Sequence, residues 1–88
     1  MIKETYVVKS KDGLHARPAS LLTKLAGEFP GEVNLEYKDR SVTMKSIMAV
    51  MSLGMPHGAS FSVIVDGDGE NAHKEKLENL LKEYEIIK

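Results

Sequence analysis

Apolar positions along this 88-residue chain follow two periods, every second residue and every third or fourth, and the two take turns. Glu4, Tyr6 and Val8 fall on one side of an extended segment and Thr5, Val7 and Lys9 on the other, which predicts a first strand that leaves through Ser10-Lys11-Asp12-Gly13. Ala19, Leu22, Leu25, Ala26 and Phe29 then recur at helical spacing, and Gly27 followed by Pro30-Gly31 ends the run. Val33, Leu35 and Tyr37 alternate with Glu32, Asn34 and Glu36 as a second strand. Lys38-Asp39 turns the chain into a short third strand holding Val42 and Met44, with Asp39 suited to a left-handed turn position.

Ser46 is placed to cap a short helix, Ile47 to Leu53, closed by Gly54. Met55-Pro56-His57-Gly58 reads as a loop. Phe61, Val63 and Val65 alternate with Ser62, Ile64 and Asp66 as a fourth strand, and Asp66-Gly67-Asp68-Gly69 reads as a turn into a last helix carrying Leu77, Leu80, Leu81 and Tyr84. The order βαββαβα predicts an α+β, two-layer open-faced sandwich: a four-stranded, mostly antiparallel sheet with three helices on one face. Residues 1–88 are read as one domain.

Chemistry concentrates in Gly13-Leu14-His15-Ala16-Arg17-Pro18-Ala19. Proline is tolerated in a first helical turn, where its missing N–H would be unpaired in any case, and it disfavours helical dihedrals at Arg17. The helix therefore starts between His15 and Pro18. A helix start offers free N–H groups and the positive end of a dipole, which together favour an anion. Imidazole is a nucleophile as well as an acid or base, and guanidinium is a planar fork for phosphate oxygens.

Composition narrows the field. A formal net charge of −1, with 28% charged and 42% hydrophobic residues, gives no reason to expect nucleic acid or an anionic membrane as partner. No cysteine is present, which removes disulfides and thiolate chemistry and suits the cytoplasm. Met1–Tyr6 mixes charge with apolar groups, unlike a signal peptide, and no apolar run is long enough for a membrane span. His15, His57 and His73 lack metal-ligand spacing, and Asp66, Asp68 and Glu70 lack the glycine and glutamate of a calcium loop, so neither metal nor cofactor is expected.

The Gly13–Ala19 string closely resembles the active-site motif of HPr, the family of histidine-containing phosphocarriers of the bacterial sugar phosphotransferase system. Lys45-Ser46-Ile47-Met48-Ala49-Val50-Met51-Ser52-Leu53-Gly54 resembles a second segment of that family, and the likeness extends over length and element order. It implies that His15 accepts a phosphoryl group from enzyme I on Nδ1 and passes it to sugar-specific IIA components, with Arg17 stabilising the phosphorylated form. Such a protein is a covalent carrier rather than an enzyme.

Lys45-Ser46-Ile47-Met48 resembles the regulatory phosphorylation site of Gram-positive members, which implies an HPr kinase/phosphorylase and a catabolite-control repressor as further partners. By helical period, Ile47, Met48 and Met51 share one face of the second helix, and Ser20, Leu21 and Lys24 lie with Arg17 on the first. Together with Ala16 these residues are expected to form an apolar patch with a positive fringe for partner proteins. Ser20, Ala49, Pro56, His57 and Ser60 depart from the common family pattern. A monomer is expected. The competing function is a purely regulatory adaptor acting through phosphorylated Ser46. An independent phosphatase is disfavoured, because no second acid or base adjoins His15 in sequence.

Overall fold

Hydrogen bonding joins the four alternating segments into one antiparallel sheet, in which the first strand pairs with the fourth, the fourth with the second and the second with the third. In the computed structural model, which describes residues 1–88, the elements are β1 (Ile2–Val7), α1 (Ala16–Gly27), β2 (Glu32–Tyr37), β3 (Arg40–Thr43), α2 (Ile47–Ser52), β4 (Ser60–Asp66) and α3 (Glu70–Glu83). The predicted two-layer α+β arrangement is observed. Register explains the layers: Val63 of β4 lies between Glu4 and Leu35, and Val65 between Ile2 and Val33, so apolar residues of the central strands meet on the helix side. The other side is polar. There the Thr5 and Ser62 hydroxyls pair at 2.8 Å, and Lys3 meets Glu36 at 2.9 Å.

Leu22 and Ala26 of α1, Val50 of α2, and Leu77 and Leu81 of α3 are buried over Val33, Leu35, Val63 and Val65 in one core. Each fully buried leucine or valine contributes about 1.5–3 kcal/mol relative to exposure. The edge strand β1 is tied to α3 by Tyr6, whose hydroxyl donates to Glu78 at 2.7 Å. Burial and that carboxylate push the Tyr6 hydroxyl well above its ordinary pKa, while the same bond holds the Glu78 carboxyl below its own, helped by Lys74 and Lys82.

Three local details of the sheet and the C-terminal segment differ from the sequence reading. The left-handed position of the β2–β3 turn is Lys38 (φ 54°), not Asp39. The Tyr37–Arg40 pairing leaves a two-residue loop, and the strands' twist demands positive φ at its first position, whichever residue stands there. Met44 lies just beyond β3 and is fully buried, its N–H bonded to the Val33 carbonyl at 2.8 Å. Ile86 and Ile87, which no periodicity singled out, are core residues. They reach the core because α3 ends with Glu85 left-handed (φ 57°), the Ile86 N–H returning to Leu81 at 2.8 Å and the Glu85 N–H to Lys82 at 3.0 Å.

Candidate functional site

The segment before α1 is braced from below. Gly13 is left-handed (φ 69°), and a Cβ there would collide with the Met55 carbonyl, so glycine is required. The next residue, Leu14, is buried and donates its N–H to that same carbonyl at 3.0 Å. His57 Nδ1 lies 3.1 and 3.2 Å from the Lys9 and Ser10 carbonyls, which ties the same loop to the start of β4. His57 thus has a structural task that its isolated position in sequence did not disclose.

His15 is the N-cap of α1, extended (φ −95°, ψ 175°) and exposed, and its side chain caps nothing. The Ala19 N–H donates to the His15 carbonyl at 3.1 Å, Pro18 has no N–H, and Ala16 and Arg17 donate to no protein group. Two free N–H groups therefore remain beside the imidazole, at the dipole's positive end. Nδ1 stands 3.4 Å from the Gly13 carbonyl, too far for a strong hydrogen bond, so the ring turns away from it at small cost.

Arg17 lies inside the helix, contrary to the expectation that Pro18 would displace it. The preproline preference is outweighed because helical geometry here buries both Pro18 and Ala19 against the core. The Arg17 guanidinium carbon sits 6.0 Å from the centre of the Tyr84 ring. An exposed cation–π contact of this kind is worth about 0.5–1 kcal/mol, enough to bias the side chain without immobilising it. The helical period places Tyr84 only in a core stripe; its contact with Arg17 depends on how α3 ends. Beside it, His15 lines an open depression of about 460 Å³ with Lys9, Lys11, Asp12, Glu83 and Glu85 among its walls. The mixture of signs means that an anion held here is supported but not deeply trapped.

Ser46 is the N-cap of α2, and its Oγ accepts the Ala49 N–H at 3.2 Å. The helix is one residue shorter than predicted, with Leu53 as its C-cap. Its other end is held by Arg40, which donates to the Ser52 carbonyl at 2.9 Å and to its Oγ at 3.0 Å. Lys45 is anchored on the Phe29 carbonyl at 2.7 Å. With both ends fixed and Val50 buried, α2 leaves Ile47, Met48 and Met51 exposed. On α1, Ala16, Arg17, Ser20 and Lys24 are exposed and Leu21 is half-buried.

His73 is the third histidine, and it is buried, stacked on Phe29 at 4.6 Å between ring centres. Its Nε2 has no hydrogen-bond partner. Burial lowers its pKa, as do Lys76 and Lys45, while Glu28 opposes them. No group of three His, Cys, Asp or Glu side chains is gathered as a metal site, and no helix is long and apolar enough to cross a membrane.

An exposed imidazole over unpaired helix N–H groups, flanked by arginine and carried on an open-faced α+β sandwich, is an arrangement suited to an anion. The family model "PTS HPr component phosphorylation site" matches residues 2–83. The chain therefore belongs to the HPr phosphocarrier family of the phosphotransferase system. Among solved structures, it resembles the histidine-containing phosphocarrier protein of Mycoplasma, with 28% identity, a TM-score of 0.96 and 99% of each chain covered. It also resembles the phosphocarrier protein HPr of Bacillus anthracis, at 30% identity and TM-score 0.81, over 90% of this chain and 94% of that one. A third similar protein is Crh of Bacillus subtilis, described as a catabolite repression protein and an intertwined, domain-swapped dimer, at 36% identity, TM-score 0.72 and 100% of both chains.

Proposed function

We propose that His15 carries a phosphoryl group from enzyme I to sugar-specific IIA components. The Nδ1 lone pair attacks phosphorus on the donor, the bond from phosphorus to the donor breaks with its electron pair left on the donor, and Nε2 keeps the ring proton. The observation that carries this reading is the uncapped start of α1, where the Ala16 and Arg17 N–H groups stay free beside an exposed imidazole. They and the Arg17 fork offset the incoming charge, about 0.3–1 kcal/mol for the dipole alone. A carrier must release what it accepts, and an exposed bond among mixed charges suits that need.

The patch of Ala16, Ser20, Leu21, Lys24, Ile47, Met48 and Met51 docks these partners in turn. Phosphate on Ser46, added by a kinase of the HPr kinase/phosphorylase type, places about −1.5 to −2 charge beside that patch. It repels an acidic partner surface and creates a ligand for a catabolite-control repressor. The protein acts as a cytoplasmic monomer in this reading. The purely regulatory adaptor is the second reading, favoured by the likeness to Crh. His15 tells against it, because an adaptor acting only through Ser46 has no use for an exposed imidazole beside free helix N–H groups.

The test incubates the protein with enzyme I and labelled phosphoenolpyruvate. Acid-labile, base-stable label on the wild type and none on His15→Ala is the expected result. Equal labelling of both proteins, or none on either, overturns the carrier reading.

A further inference from the structure

The five methionines divide sharply by environment. Met44 and Met55 are 1% and 4% exposed in the core, whereas Met48 is 83% exposed and Met51 39% exposed on one face of α2, beside Ile47 at 38%. Met1, at 78%, lies outside that face. Thioether oxidation requires access to sulfur, and it turns a flexible apolar side chain into a polar one. Met48 therefore combines the greatest exposure in the set with a place among the apolar residues of the docking patch.

We propose that Met48 is a site of reversible oxidation by peroxide that weakens docking on α2, an inference that rests on the carrier reading of this face. A sulfur lone pair attacks one peroxide oxygen, the O–O bond breaks as the S–O bond forms, and the departing hydroxide takes the remaining proton as water. Sulfur loses two electrons, peroxide gains them, and the product is the sulfoxide. The change is chemically distinct from phosphorylation of Ser46 two residues away: it adds polarity without net charge. Both modifications act on the approach of partners and neither touches His15.

The experiment treats the protein with hydrogen peroxide, removes the oxidant with catalase, and maps added oxygen by peptide mass spectrometry. Met48 should be oxidised well before Met44 and Met55. The KM for phosphorylation by enzyme I should then rise roughly ten-fold with kcat little changed, the loss expected when one side chain's apolar burial is forfeited. Methionine sulfoxide reductase supplied with a dithiol reductant should reverse it, two thiols becoming a disulfide as the sulfoxide oxygen leaves as water. Met48→Leu, compared with itself before and after peroxide, should lose most of that rise although Met1 and Met51 remain oxidisable. An unchanged KM in protein oxidised at Met48, an equal rise in Met48→Leu, or simultaneous oxidation of the core methionines overturns the proposal. Absence of label on the untreated protein would instead overturn the carrier reading itself.

Discussion

At the start of α2 the Ser46 hydroxyl accepts the Ala49 N–H at 3.2 Å; at the start of α1 no side chain does the same for Ala16 or Arg17. The two helix ends face the same backbone problem, since each leaves several N–H groups without partners inside the helix. At Ser46 the vacancy is filled internally, and the short helix gains stability. At His15 it is left open, the residue at the cap position is a poor capping residue, and Pro18 removes one further donor. The difference teaches that α1 forgoes the stability of a side-chain cap and leaves two N–H groups accessible, which the proposed role of His15 would use. A Ser46 phosphate would have to share a cap that is already in use.

The sharpest way to break the comparison is to convert one end into the other. His15→Asp should cap α1 and raise stability by about 1 kcal/mol in denaturant melts, while abolishing phosphoryl uptake. A variant that lost stability, or that still accepted label, would show that the open cap is incidental. Arg17→Ala comes next. Without its charge-assisted bonds to phosphate, transfer should slow about 10- to 100-fold, and Arg17→Lys should recover only part of the loss. Arg17→Ala should also lower stability by at most about 0.5–1 kcal/mol in denaturant melts, through loss of the exposed Tyr84 contact.

At the other end the expected effects are smaller and lie mainly in stability. Ser46→Ala should cost about 1 kcal/mol by removing the cap, with His15 labelling near wild type. Ser46→Asp keeps a cap acceptor and adds charge, so it should melt like wild type but accept phosphate from enzyme I several-fold more slowly, and more so at low salt. Phosphate entry at the wild-type rate would remove the electrostatic account of regulation.

The smallest effect concerns pH. His73 has a folded-state pKa below its ordinary 6.5, chiefly through burial against Phe29. The unfolded chain therefore binds this proton more readily. Its stabilising contribution is complete above 6.5 and is lost as pH falls through that value toward the lower folded one. Because the Phe29 carbonyl also holds Lys45, next to the Ser46 cap of Ala49, acid should lower the protection of the Ala49 amide, measured against the intrinsic exchange rate at each pH, before it does so at Ala19. His73→Phe should flatten the dependence between pH 7 and 5, which exchange and melting would both record.

Much of this architecture was readable before any coordinates. Alternation over 33–37 and 61–65 identified the central strands, because register makes period two equivalent to one buried face. The spacing of Ala19, Leu22 and Ala26 identified the buried side of α1 for the same kind of reason. His15, Arg17 and Ser46 stood out as residue types at helix starts. Hidden from that reading were the contacts between residues far apart in the chain: Arg40 on Ser52, His57 on Lys9 and Ser10, Tyr84 under Arg17, and His73 on Phe29. None has a local signature.

Local chemistry along the chain was enough to decide which segments extend, which coil, and where an imidazole would meet a dipole, since periodicity and capping act over a few residues. Tertiary structure alone decided that His73 stacks on Phe29, that Met44 is buried just beyond β3, and that Glu85 turns left-handed so that Ile86 enters the core. Those outcomes depend on which surfaces the packed elements cover, and that competition is settled only when the whole chain is folded.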